Sequence, residues 1–166
     1  MSSKKNNTVR EPRFSLVSET PAAEPEIARQ HFFSKLAFEA DVADLVYDLS
    51  KGRTDLIVVD TRSPQSYEEC RIPGALNLPK IDEATTRDLP KDKLYVVYCW
   101  GPACNGSTKG AMKLAALGFR VKELIGGIEY WRRENCPVEG TLGEDAPLHW
   151  RFDRSQWKGA ADRFQS

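Results

Sequence analysis

The period of the apolar positions changes several times along the chain, and each change marks an element. Val42, Leu45, Val46 and Leu49 recur at i, i+3, i+4 and i+7 behind Asp41, an N-cap residue type, and Gly52 follows where a helix terminator belongs. That spacing predicts a helix. Leu56-Ile57-Val58-Val59 is instead a continuous apolar run between Asp55 and Asp60, too short for a helix and β-branched enough for a strand covered on both faces. Leu94-Tyr95-Val96-Val97-Tyr98 repeats the pattern, and 121–125 reads as a further strand. Between the first two strands lie a short helix starting at Pro64 and reaching 71, a turn into a brief strand over 72–78, and a polar connector. Past Tyr98 a loop with Gly101, Pro102 and Gly106 enters a helix with Met112, Ala115, Ala116 and Phe119 on one face. Gly126-Gly127 then opens a last helix over 128–134. Upstream, 24–33 reads as a short helix and Leu36-Ala37-Phe38 as a brief strand.

Strands alternating with helices at these lengths predict an α/β fold with a mainly parallel central sheet. Ligands of such sheets bind at the carboxyl ends of the strands. Attention therefore falls on Asp60-Thr61-Arg62, on Cys99-Trp100-Gly101-Pro102-Ala103-Cys104, and on Gly126-Gly127. Residues 1–24 are polar and aperiodic and read as a disordered arm, 25–140 as the domain with its N-terminal helix, and 141–166 as a C-terminal extension. In that extension Trp150, Phe152, Trp157 and Phe164 stand among charges, suited either to docking back on the domain or to meeting a partner.

Charge narrows the function classes. The 166 residues carry 24 Lys+Arg against 24 Asp+Glu, so no basic field exists for generic nucleic-acid binding. No apolar run approaches the ~18–20 residues that cross a bilayer, and no apolar stretch follows the N-terminal lysines, so neither a membrane partner nor a secretory leader is expected. Cys70, Cys99, Cys104 and Cys136 fit free thiols in a reducing cytoplasm.

Cys99 stands at the exit of a predicted central strand, before a loop that enters a helix N-terminus. Open N–H groups and the helix dipole there favour a thiolate, predicting a lowered thiol pKa, and the same groups cradle an anion. Gly101, Ala103 and Gly106 keep the cradle free of bulk. The plain alternative is a small apolar residue closing a strand. Cys104, five residues on, is either a resolving thiol or a spacer. A zinc site is not expected, because C-x4-C lacks a second ligand pair and only His31 and His149 remain. Asp60 and Arg62 read as an ion pair supporting the loop.

Taken in order, Val59-Asp60-Thr61-Arg62-Ser63-Pro64 with Tyr67, Arg71-Ile72-Pro73-Gly74-Ala75-Leu76-Asn77-Leu78-Pro79, Val97-Tyr98-Cys99, Leu117-Gly118-Phe119 and Leu124-Ile125-Gly126-Gly127-Ile128-Glu129-Tyr130-Trp131 resemble a single-domain rhodanese over about 36–140. The resemblance implies a rhodanese-like fold, with five mainly parallel strands flanked by helices, and sulfurtransferase activity without cofactor or metal. Cys99 matches the catalytic cysteine, which takes a sulfane sulfur from a small donor such as thiosulfate, holds it as a persulfide, and passes it to a thiol or a protein acceptor. Trp100, Gly101, Pro102, Ala103, Cys104, Asn105 and Gly106 match the substrate-binding loop. Trp100, next to Cys99, reads either as a lid against water or as a residue packed on the surface. Many members carry an arginine or lysine in this loop; here the first cation is Lys109, which predicts weak thiosulfate binding. Arg71 stands where a histidine is frequent, and the loop is about two residues longer than the common pattern. Two other readings of the same fold are a redox-sensing or noncatalytic module using a Cys99/Cys104 disulfide, and a phosphatase or arsenate reductase. The last needs an arginine closing C-x5-R, and that position is Asn105.

Overall fold

The computed structural model describes residues 15–151, so the first part of the expected arm and the aromatics Phe152, Trp157 and Phe164 lie outside the described residues. The chain divides into two units, Met1–Ser34 and Lys35–Ser166. In the larger unit five parallel strands form one sheet in the order β1-β5-β4-β2-β3. They are β1 (Glu39–Ala40), β2 (Leu56–Asp60), β3 (Leu76–Asn77), β4 (Leu94–Tyr98) and β5 (Arg120–Leu124). β4 is central, paired with β2 from Leu56↔Leu94 to Asp60↔Tyr98 and with β5 from Leu94↔Arg120 to Val97↔Glu123.

The pleat explains the unbroken apolar runs. Val58, Val96, Tyr98 and Leu124 face one way, into a core with Val42 and Leu45 of α2 (Val42–Ser50) and Ile128 and Trp131 of α6 (Gly127–Arg133). Val59, Tyr95 and Val97 face the other way, with Ile81, Leu114 and Phe119. Both faces of β2 and β4 are covered, so their successive residues are apolar up to the strand ends. Helix starts follow their caps: the Asp41 side chain accepts from Asp44 N at 2.8 Å, Ser63 caps α3 (Pro64–Glu69), and Asp82 closes a capping box on α4 (Glu83–Thr86). α4 lies within the polar connector between β3 and β4. Gly52, at φ +67°, ends α2 in the left-handed region.

Two expectations fail. Leu36-Ala37-Phe38 is not a strand; it is the last turn of α1 (Pro25–Phe38), and β1 begins one residue later. Nothing breaks the helix between Phe33 and Phe38, and Ser34 Oγ donates back to Gln30 O at 2.9 Å, keeping its hydroxyl within the helix. In α5 (Gly106–Ala116) the buried face is Ser107, Gly110 and Leu114, whereas Met112, Ala115 and Ala116 are exposed. A Cβ on Gly110 would stand 2.8 Å from Thr61 Cγ2 and 3.3 Å from Val97 Cγ1, so the helix seats against the sheet through its smallest residue.

After α6 the chain stays attached. Arg71 and Glu139 form an antiparallel bridge, and Thr141 N and Leu142 N donate to Glu68 O and Glu69 O at 2.8 and 3.0 Å. Arg132 of α6 donates to the carbonyls of Glu144, Ala146 and Pro147 at 2.6–3.1 Å, across the single turn Gly143–Asp145. This segment carries His149 and Trp150 towards the carboxyl ends of the strands.

Candidate active site

Cys99 directly follows β4, and neighbouring backbone fixes its position on both sides. Tyr98 O accepts from Thr61 N at 3.1 Å and Thr61 Oγ1 at 2.9 Å, while Cys99 O and Trp100 O accept from Ile128 N and Glu129 N at 3.0 and 2.9 Å. The first-turn amides of α6 are thus spent on the loop's carbonyls. Gly127 permits that approach: its φ is +55°, and a Cβ there would lie 2.5 Å from Cys99 O. Gly126-Gly127 therefore acts on the backbone of the loop.

The loop closes with Cys104 N donating to Gly101 O at 2.9 Å, and α5 begins at Gly106. Unlike Asp41, Ser63 and Asp82, its N-cap Asn105 makes no side-chain cap bond. Among the described residues, the N–H groups of Gly106, Ser107 and Thr108 find no acceptor, and Gly106 sits against the sulfur: a Cβ there would be 2.7 Å from Cys99 Sγ. Open amides beside a sulfur atom are an anion cradle. Cys104 turns towards the same point, its Sγ 2.7 Å from Cys99 Sγ, with both thiols free. The lowered pKa expected from the dipole is not what this arrangement produces. Burial first, and then the Cys104 thiol, push the Cys99 thiol up to about 11, against weaker help for the anion from Trp100 N–H and the Thr61 hydroxyl.

Asp60 and Arg62 are buried together, with side chains 0% and 1% exposed and Nη2 2.7 Å from Oδ2. Arg62 Nε adds bonds of 3.0 and 3.1 Å to the two carboxylate oxygens, and Nη2 also donates to Cys70 O. Burial opposes the guanidinium's charge, but Asp60 outweighs it and holds the Arg62 pKa above its ordinary value. The guanidinium lies 4.8 Å from the Trp100 ring and 5.6 Å from that of Tyr98. Trp100 is half-buried, packed on the core and on Arg62, and it also lines the cleft beside Cys99.

The Rhodanese-like domain family model matches residues 42–134, the span that holds β2 to α6 and the cysteine loop. The chain belongs to this family. Its fold agrees with the crystal structure of the BH2092 protein from Bacillus halodurans, with 54% identity, a TM-score of 0.77, and coverage of 80% of this chain and 98% of that one. The chain is also similar to the thiosulfate sulfurtransferase GlpE of Coxiella burnetii, 37% identical over 89 residues, or 52% of this chain and 79% of that protein. It is 33% identical over 96 residues to the HTH-type transcriptional regulator Rv0324 of Mycobacterium tuberculosis, matching 57% of this chain and spanning 40% of the regulator's length.

Around Cys99 this rhodanese-like domain opens a cleft of about 1070 Å³. Arg62, Trp100, Gly101, Pro102, Ala103, Cys104 and Asn105 line it, and Asp60 stands behind Arg62. Four further ionisable residues share the lining that sequence reasoning missed: Glu123 from the end of β5, Glu129 and Arg133 from α6, and His149 from the C-terminal segment. The cleft therefore does contain a cation from outside the loop, Arg133, although its guanidinium is paired with Glu129 at 2.9 Å. The strand-end rule already pointed to what surrounds 125; nothing in the local pattern pointed to 149. Among the described residues no helix is long and apolar enough to cross a membrane, and no group of three or more His, Cys, Asp or Glu could hold a metal ion.

Proposed function

We propose that the protein is a rhodanese-type sulfurtransferase that carries a sulfane sulfur on Cys99, from thiosulfate or a persulfide to a small thiol or protein cysteine. The observation that carries this reading is Cys99 Sγ set beside the uncapped amides of α5 in the cleft. Deprotonated Sγ attacks the outer sulfur of thiosulfate; the donor's S–S bond breaks, sulfite leaves with its electron pair, and a Cys99 persulfide remains. The α5 amides favour the anion so formed. An acceptor thiolate then attacks the outer sulfur and releases the Cys99 thiolate. Four free cysteines suit work in a reducing cytoplasm. Intact mass after incubation with thiosulfate or cysteine persulfide tests the reading: the wild type gains one sulfur atom, and Cys99→Ala gains none while keeping its fold. A wild type that gains no sulfur from either donor, or an alanine variant that loads equally fast, refutes it.

A second reading rests on the 2.7 Å separation of the two sulfurs. Cys104 thiolate can attack Sγ of the persulfidated Cys99, forming the Cys99–Cys104 disulfide and releasing hydrosulfide. This discharge makes the loop a redox-responsive pair as well as a carrier. Replacing Cys104 by serine then lengthens the persulfide's lifetime, and equal decay in both proteins with no linked peptide returns Cys104 to a spacer.

A further inference from the structure

We propose that Glu123 selects the sulfur donor, disfavouring dianionic oxyanions such as thiosulfate and favouring donors with at most one negative charge near the sulfane sulfur, the class that includes organic persulfides. The inference rests on the sulfurtransferase reading and adds to it a residue and a substrate class.

The argument is one of charge placement. Two arginines line the cleft and each already faces a carboxylate: Arg62 is bonded to Asp60, and Arg133 to Glu129. His149 stands exposed at the rim. Glu123 has no cation partner among the described residues; its Oε1 accepts only from Ser107 Oγ at 2.7 Å and Thr108 Oγ1 at 2.9 Å. Those two hydroxyls belong to the first turn of α5, whose first residue, Gly106, packs against the Cys99 sulfur. A carboxylate held there by neutral donors keeps its full charge against an incoming anion, in a half-buried position where water screens it incompletely. The loop itself, from Cys99 to Gly106, supplies no positive charge to offset it. With an organic persulfide, R–S–SH plus the Cys99 thiol gives the Cys99 persulfide plus R–SH, and no second charge has to enter the cleft.

The test compares thiosulfate, a dianion, with methanethiosulfonate, its monoanionic analogue of like leaving chemistry, and with cysteine persulfide. Sulfur loading of Cys99 is read by intact mass at one fixed alkaline pH for all three donors. For Glu123→Gln, which retains an acceptor for the hydroxyls, kcat/KM for thiosulfate is expected to rise about tenfold relative to methanethiosulfonate. A second measurement uses the wild type alone: added salt screens repulsion, so thiosulfate loading accelerates with ionic strength more than loading from the monoanion. A donor ratio that Glu123→Gln leaves unmoved, or wild-type loading from thiosulfate that slows with salt, overturns charge selection and leaves Glu123 as a positioner of Ser107 and Thr108. Absence of loading from all three donors instead overturns the sulfurtransferase reading itself.

Discussion

Gly106→Ala separates what stabilises α5 from what the sulfur requires. Alanine is better than glycine in a helix by up to ~1 kcal/mol, and Gly106 is not among the residues in the left-handed region, so propensity alone makes the variant more stable. The added Cβ, however, would stand 2.7 Å from Cys99 Sγ and 3.4 Å from Cys104 Sγ. Ordinary contacts between such atoms begin near ~3.5–4.0 Å, so the Cys99 sulfur must retreat by roughly 1 Å, away from the amides of the first turn. A misplacement of ~1 Å at a reacting centre costs about 100-fold in rate. The expected outcome is a fall of about 100-fold in persulfide formation, followed by intact mass against time, while the unfolding free energy from urea titration shifts by no more than ~1 kcal/mol. A variant that loads sulfur within about threefold of the wild type would refute the claim that the amides of α5 act on Cys99.

Asp60→Asn leaves the Arg62 guanidinium buried without its counter-charge and is expected to cost ~3–5 kcal/mol in urea unfolding; a loss below ~1 kcal/mol would contradict the buried-pair argument. Alkylation of Cys99 by iodoacetamide should climb with pH towards a midpoint of about 11, and Cys104→Ala should move that midpoint down by removing a neighbour that raises it; a midpoint near neutrality would contradict the burial argument. The sign for stability follows from the same shift. The folded protein holds the Cys99 proton more tightly than the unfolded chain, whose value is near 9.0, so the contribution is whole below pH 9 and is lost as pH rises through about 11. Over that window the unfolding free energy should fall less steeply for Cys99→Ala than for the wild type.

Legibility from sequence followed the physics of each element. β2 and β4 were readable because covering both their faces gives each a continuous apolar run, and α2 because Asp41 and Gly52 bracket a full helical period. The packed face of α5 was not readable: its contact with the sheet runs through Ser107 and Gly110, chosen for size, while Met112 points to solvent. Periodicity of apolar residues is blind to such a seam. In the site, Cys99 and its loop were visible as one contiguous stretch. Glu129 and Arg133 are an i, i+4 pair on α6, but Glu123 and His149 join them only because β5 lies beside β4 and Arg132 folds the later chain back, associations that no local spacing encodes.

Arg132 makes the outer wall of the cleft a separate component from its chemistry. Its guanidinium ties down the carbonyls of Glu144, Ala146 and Pro147, and a few residues later the chain reaches the rim at His149 and Trp150. That stretch follows the family-matched span, which ends at 134. The thiol, the loop and the amides that serve them can stay constant while the wall is recut by changes after the last helix. On the proposed sulfurtransferase reading, a substitution in this segment would alter which acceptor fits without touching Cys99 Sγ.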